Sequence, residues 1–251
     1  MVQVFCGPEC RNEDGTMILS GENFHHAVQV MRLHVGDEFS VYYTGETAEY
    51  RYGIEQIGPD AAIGRLYFVK ESDVELPSRI TVLQGLPKSD KMETVIQKTI
   101  ELGAARVVPV TCHRSVMKLD DKKAASRKAR WDKIAEAAAA QSHRAFIPEV
   151  DLPKSFAEAV EIGAASDIRL IPYELAGGKG AQMEDTRNLI RSIRPGQSVS
   201  ILIGPEGGFS EEEVQKAQEA GFVPVTLGHR ILRTETAAMT VLSWLVLQLE
   251  Q

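Results

Sequence analysis

The sequence predicts an α/β protein. A mostly parallel sheet with helices on both faces fills the C-terminal part, and a small strand-rich domain precedes it. From Arg79 onward, short β-branched apolar runs alternate with helical stretches, which is the rhythm of a parallel sheet covered by helices. Before that point, residues 1–70 carry five short β-type runs in close succession, as in a small barrel or sandwich. Between the two lies the polar stretch 71–78, with Pro77 near its end, which reads as a linker. The domains are accordingly drawn as 1–72 and 73–251.

In the first domain the expected strands are residues 2–6, 15–20, 37–44, 49–57 and 63–70, punctuated by Gly7-Pro8, Gly36, Gly45 and Gly58-Pro59. One helix interrupts them. Asn23 is its expected N-cap, and Ala27, Val28, Val30, Met31 and Leu33 are its apolar side. In the second domain strand 80–86 leads to helix 90–102, where Asp90 and Glu93 have the spacing of a capping box and Gly103 ends the helix. Strand 107–110, helix 130–141 and an extended run 146–150 follow. Next come a helix over 154–161 that ends at Gly163, strand 168–173 and a helix over 184–193. Strand 199–203 runs into helix 211–220, whose Ser210 and Glu213 form a second capping box and whose end is Gly221. Strand 223–227 and helix 236–249 complete the chain.

The 251 residues, 43% hydrophobic and 25% charged, are those of an ordinary globular protein with a full core. No apolar run has the length of a membrane helix, and the first residues lack the pattern of a signal peptide, so a cytoplasmic protein without membrane contact is expected. Cys6, Cys10 and Cys112 have no metal-ligand spacing, so no metal site is expected. The formal net charge of −7 argues against indiscriminate nucleic-acid binding. Yet residues 113–130 hold seven basic residues (Arg114, Lys118, Lys122, Lys123, Arg127, Lys128 and Arg130) against two acidic ones, Asp120 and Asp121. Such a cluster either grips phosphates or is a solvated helix face.

Ligands of open α/β folds sit beyond the carboxyl ends of the parallel strands, and three of those ends stand out. They are Tyr173-Glu174-Leu175 with Gly177-Gly178 behind them, the run Gly204-Pro205-Glu206-Gly207-Gly208 after Ile203, and the run from Leu227 and Gly228 to Thr236. None has the Gly-Lys-Ser/Thr ending of a P-loop. None has the glycine spacing and following acid of a dinucleotide site either. What is left is a pocket of main-chain groups with few committed charges, suited to an adenosine without phosphates such as S-adenosylmethionine. The alternative is that the glycines only permit tight turns.

Ile203-Gly204-Pro205-Glu206-Gly207-Gly208-Phe209-Ser210, followed by Leu227-Gly228-His229-Arg230-Ile231-Leu232-Arg233-Thr234-Glu235-Thr236-Ala237, resembles the paired signature of the RsmE family. These are SPOUT-class methyltransferases of small-subunit ribosomal RNA. Gln97-Lys98-Thr99-Ile100-Glu101-Leu102-Gly103, Arg114-Ser115-Val116, Arg130-Trp131-Asp132-Lys133-Ile134 and Ala139-Ala140-Gln141-Ser142-His143-Arg144 resemble its middle segments. His26, Val30-Met31-Arg32-Leu33 and Gly36-Asp37 resemble its N-terminal motif. The resemblance implies a SPOUT-type C-terminal sheet with a deep trefoil knot, a PUA-like β-barrel in front, and a homodimer. It also implies methyl transfer from S-adenosylmethionine to N3 of one uridine of 16S rRNA in the 30S subunit, the uridine numbered 1498.

On that footing the cofactor-binding residues are expected to be Tyr173, Glu174, Leu175, Ile203, Gly204, Pro205, Glu206, Gly207, Gly208, Leu227, Gly228, Ile231, Leu232, Arg233, Thr236 and Ala237. RNA is expected at His26, Arg32, Arg114, Arg127, Lys128, Arg130 and Arg144. The uridine N3 carries a proton, so a base and a group that stabilises the resulting anion are needed. Arg233 is the candidate for the anion, against the alternative of an ion pair with Glu206 or Glu235. Glu235 is the candidate base, against a helix-dipole role. His229 and His26 read as packed residues or as proton carrier and RNA contact. A non-catalytic RNA-binding or assembly factor, or an enzyme using another adenine cofactor, are the competing functions. The intact glycine segments and the missing phosphate-site residues disfavour them.

Overall fold

The computed structural model describes residues 1–117, 119–173 and 182–250. These form two compact units, one of residues 1–75 with 139–147 and one of residues 76–138 with 148–251. The first unit therefore gains a stretch that a single cut at residue 72 omits. Arg144 explains the addition: its guanidinium pairs with Glu75 at 2.7 Å, and its carbonyl oxygen accepts a 2.6 Å bond from the Gln3 amide.

In the first unit, β1 (Val2–Cys6), β2 (Thr16–Ser20), β3 (Glu38–Tyr43), β4 (Glu49–Ile57) and β5 (Ala61–Lys70) make one sheet in the order β1-β3-β4-β5-β2. Alternate residues point inward, so Val2, Val4, Met17, Leu19, Phe39, Val41, Tyr52 and Ile54 share one core. The sheet curls around that core, but its edge strands β1 and β2 do not pair with each other. It is an open curled sheet where a closed barrel was expected. The helix after β2 also differs. A short turn, α1 (Gly21–Phe24), continues as a π-helix over His25–Val30, with Met31 N–H bonding the His26 carbonyl at 2.9 Å. Ser20 holds the N-cap position. Asn23 lies inside the turn, where its amide ties Phe5 O at 2.9 Å. The wide turn sets Phe24 and Ala27 into the core and ends at Arg32, whose φ is +56°.

Glu49, nearly enclosed beside β3 and β5, accepts bonds from Ser40 (2.7 Å) and Arg51 (2.6 Å) and pairs with Lys70 (3.0 Å). Burial alone would raise its carboxyl, but these partners outweigh burial and lower it from 4.5 to about 2.

The second unit contains β6 (Ile80–Gly85), α2 (Lys91–Glu101), β7 (Arg106–Thr111), α3 (Asp121–Gln141), β8 (Glu149–Val150), β9 (Lys154–Ser155), α4 (Phe156–Ala164), β10 (Ile168–Pro172), α5 (Met183–Ser192), β11 (Val199–Ile203), α6 (Glu211–Glu219), β12 (Val223–Val225) and α7 (Thr234–Leu249). Its strands are all parallel, in the order β12-β10-β11-β6-β7-β8, with β9 also on β7. One face, with Ile80, Val82, Val199 and Ile201, packs on Val241, Leu242 and Leu245 of α7 and on Ile190 of α5. The other, with Leu83, Ile171 and Leu202, packs on Ala159 of α4, on Val214 and Ala217 of α6, and on Phe222.

Three helix ends depart from the sequence expectation. The box on α2 does not form: the Asp90 side chain makes no cap bond, because Arg127 holds it at 3.0 Å while Arg130 holds Glu93 at 2.7 Å. Helix α3 begins well before residue 130. Gly163 does not end α4 but lies buried within it, and is glycine because the helix packs so close. A Cβ there would strike the Phe222 ring and stand 2.7 Å from Leu83 Cδ1. No helix among the described residues is long and apolar enough to cross a membrane.

Two outcomes follow for stability. Gly163→Ala improves helix propensity by about 1 kcal/mol, but overpacking of about 1–3 kcal/mol opposes it. A net loss of up to about 2 kcal/mol is expected in urea titration, and a stabilised variant would contradict the close contact. For Glu49, a depressed folded-state carboxyl contributes stability above the unfolded value near 4.5, and this is lost as pH falls toward about 2. Glu49→Gln should therefore cost on the order of 2–3 kcal/mol at pH 7 and almost nothing near pH 2, measured by denaturation at both pH values.

Candidate active site

The carboxyl ends of β10, β11 and β12 open onto one cavity of about 560 Å³. The first wall is Pro172 and Tyr173, with the Tyr173 N–H on Val225 O at 3.1 Å. The second is the turn from Ile203 to Phe209. The third is the run from Val225 to Arg233, which ends as α7 begins at Thr234. Two short bonds shape that third wall: Thr186 Oγ1 accepts from Thr226 N–H at 3.1 Å, and Thr226 Oγ1 accepts from Gly228 N–H at 3.2 Å.

A buried chain of hydrogen bonds ties the second wall to the start of α7. Gln84, fully buried at the end of β6, donates from Nε2 to Thr234 Oγ1 at 2.8 Å and to Gly85 O at 2.9 Å. Thr234 Oγ1 in turn donates to Gly204 O at 2.6 Å. Gln84 Oε1 is buried and finds no partner among the described residues, a cost of about 1–3 kcal/mol.

The box at α6 forms as expected: Glu213 N–H bonds Ser210 Oγ at 3.2 Å, and Ser210 N–H bonds Glu213 Oε2 at 2.8 Å. Glu213 also accepts from His113 N–H at 2.7 Å. That bond sets the neighbouring Arg114 at the cavity, where its guanidinium donates to Gly207 O at 3.2 Å.

Charge at the mouth is distributed unequally. Lys91, at the first position of α2, pairs with Glu206 at 3.0 Å and faces Glu235 at 3.8 Å. Glu206 also accepts from Lys88 N–H at 3.1 Å. Burial pushes the Glu206 carboxyl up, but its own backbone N–H, Lys91 and Lys88 N–H outweigh that and hold it below the usual carboxylate range. Since Lys91 takes both carboxylates, Arg233 has no ion pair among the described residues. It stands exposed at the N-cap position of α7, on the cavity.

Of the expected cofactor residues, Tyr173, Ile203, Gly204, Pro205, Glu206, Gly208, Leu227, Gly228, Ile231, Leu232, Arg233 and Ala237 line this cavity. Gly207 does not, because it faces Arg114, and Thr236 does not, because it lies on the exposed side of α7. Glu174, Leu175 and the Gly177-Gly178 turn lie outside the described residues, as does Lys118. Lys91, Arg230 and Thr234 line the cavity without having been expected there. Arg230 and Thr234 lie inside the Leu227–Ala237 signature without having been singled out from it, and a lysine in a helix's first turn gives no periodic or motif signal.

The expected RNA residues scatter. Arg144 is 3% exposed, paired with Glu75 and stacked on Phe146, so it is a core residue and not a phosphate contact. Arg127 and Arg130 are spent on Asp90 and Glu93, and Lys128 pairs with Asp132 at 2.7 Å. His26, Arg32 and Arg114 are exposed, as is His229, which is not packed.

The cavity suits S-adenosylmethionine. Its walls are main-chain turns and the apolar Ile203, Leu227, Leu232 and Ala237, as an adenine needs. Gly208, at φ +68°, has open space where a Cβ would project.

A family model described as an RNA methyltransferase domain matches residues 74–246, and one described as an RNA methyltransferase PUA domain matches residues 19–67. The ribosomal RNA small subunit methyltransferase E of Bacillus subtilis is 37% identical over 95% of this chain and 92% of its own. The solved methyltransferase Lpg2936 from Legionella pneumophila, in complex with SAM, matches with TM-score 0.84 and 32% identity, over 98% of this chain and 96% of that one. The methyltransferase E from Neisseria gonorrhoeae, bound to S-adenosyl methionine, matches with TM-score 0.81 and 30% identity, over 97% and 95%.

Thr234→Val keeps the shape of the side chain but leaves one of the two Gln84 Nε2 hydrogens and Gly204 O without their partner. A loss of about 2 kcal/mol in urea unfolding is expected. Gln84→Leu, which also removes the unpaired oxygen, should cost less. The reverse order would contradict the bond chain.

Proposed function

Since the chain belongs to the ribosomal RNA small subunit methyltransferase E family, we propose that it transfers a methyl group from S-adenosylmethionine to N3 of one uridine of 16S rRNA, the position numbered 1498. The substrate in this reading is the rRNA within the 30S subunit. The observation that carries it is the unpaired Arg233 on the same cavity as the Ile203–Phe209 turn.

S-adenosylmethionine supplies an electrophilic methyl group on a sulfonium centre. Tyr173, Ile203, Gly204, Pro205, Glu206, Gly208, Leu227, Gly228, Ile231, Leu232 and Ala237 would hold it, with Glu174 and Leu175 proposed beside them. The protein's own tasks are orientation and charge. Arg233 faces the carbonyl oxygen on which negative charge grows as N3 loses its proton, and a cation in a water-excluded cleft is worth most there. Glu235, 16% exposed in the first turn of α7, accepts that proton.

RNA is proposed to be contacted by Arg114 in the second unit and by His26 and Arg32 in the first, with Arg127, Lys128 and Arg130 contributing less because their charge is already compensated. The SPOUT class, with a knot formed where the three wall loops meet, belongs to the same proposal. So do a cytoplasmic location and a homodimer. The groove between α5 and α7, lined by Ile190, Trp244 and Leu247, offers a dimer an apolar surface.

The test is incubation of unmodified 30S particles with labelled cofactor, followed by mass mapping of modified uridines; one N3-methylated uridine is expected. Arg233→Ala should slow single-turnover transfer by about 10²–10³-fold, with affinity for S-adenosylhomocysteine held within about twofold. Unchanged turnover would remove Arg233 from the chemistry. Glu235→Gln should lose about 10²–10⁴-fold if it is the base.

A further inference from the structure

We propose that Lys91 is a second catalytic cation. It contacts one of the two carbonyl oxygens that flank the uracil N3 while Arg233 serves the other, and the pair selects uracil over cytosine. The inference rests on the methyltransferase reading above.

The position of Lys91 is not one that helix physics favours. It opens α2, where the positive end of the helix dipole disfavours a cation. It is held there by carboxylates from two other segments: Glu206 at 3.0 Å, in the turn after β11, and Glu235 at 3.8 Å, in α7. Other acids at the start of α2 are occupied elsewhere, Asp90 by Arg127 and Glu93 by Arg127 and Arg130. The ammonium has three N–H donors, two of which face these carboxylates. Lys91 lines the same cavity as Arg233, so its third donor is available to a ligand there. The charge it carries is thus aimed, not solvated at random.

The chemistry asks for two such groups. When N3 gives its proton to Glu235, the charge spreads over both neighbouring oxygens, O2 and O4. As N3 bonds to the methyl carbon, the carbon–sulfur bond breaks and its electron pair stays on sulfur, so the charge on the oxygens disappears. One cation stabilises half of that transient distribution, and two cations stabilise it on both sides. Cations on both sides of N3 require acceptors on both sides. Uracil has them. Cytosine carries an amine at C4, which would leave one cation facing a donor.

Glu206 and Glu235 act on the reaction partly through Lys91, as positioning residues for it.

The experiment compares wild type, Lys91→Met and Lys91→Arg in single-turnover transfer to unmodified 30S particles, with S-adenosylhomocysteine affinity by calorimetry and melting temperature in parallel. Lys91→Met is expected to lose about 10²–10³-fold in rate, with affinity within about twofold of wild type. Lys91→Arg, which keeps the charge, should recover at least a tenth of the wild-type rate. A Lys91→Met rate within about threefold of wild type overturns the proposal. So does a rate loss matched by an equal loss of S-adenosylhomocysteine affinity, since Lys91 would then be a brace for the Glu206 turn. A Lys91→Met that melts early is set aside in favour of Lys91→Arg and Lys91→Gln, judged by the same criteria. Wild-type protein that methylates no uridine would instead sink the methyltransferase reading itself.

Discussion

The site depends on one buried connection, the hydrogen-bonded path from Gln84 through Thr234 to the Gly204 carbonyl. It joins the middle of the sheet, the glycine turn and the first residue of α7, which are far apart in sequence. Lys88, Lys91 and Arg114 hold the far part of the glycine turn from outside, but the Gly204 carbonyl at its start is tied to the first residue of α7 by this path. A path of this kind is costly because each polar group in it must be satisfied. The unpaired Oε1 of Gln84 marks where the fold accepts that cost. A leucine would suit the apolar surroundings better but could not hold the turn and the helix together.

Around that path the electrostatics divide into two regions. Along α3, Arg127, Lys128 and Arg130 are matched by Asp90, Asp132 and Glu93, so much of the charge that is densest in the sequence is already compensated. At the cavity the balance is reversed. Among the described residues Lys91, Arg114, Arg230 and Arg233 line it with Glu206, and Glu235 stands 3.8 Å from Lys91. The overall negative charge of the protein and a cationic mouth are therefore compatible.

The sequence revealed what is written locally. The Ser210–Glu213 box is three residues of spacing with a direct structural meaning, and it formed. The loops after β11 and β12 were legible because glycines after β-branched runs break a strand and permit a tight turn. Where the same local rule met a tertiary competitor, it failed. Asp90 and Glu93 have the spacing of a box, but arginines of α3 took both carboxylates. Gly163 read as a helix stop because nothing in the sequence announces that Phe222 and Leu83 will press against it. Arg144 looked basic and exposed until Glu75 and Phe146 enclosed it. Lys91 and Gln84 carried no signal at all, since their importance lies in which distant residues they reach.

The strand order has a bearing on how the second unit assembles. Strand β11 pairs with β6 on one side and β10 on the other, so β10 and β12 join β6, β7 and β8 only through it. Residues 80–85 and 199–203 must find each other before either half of the sheet has a complete neighbour. Loop closure over that separation is slow, and the contacts that reward it come only afterwards. The unit thus has no natural halfway house. The early strands leave an open sheet edge until β11 arrives, and an open edge is where chains pair wrongly with one another.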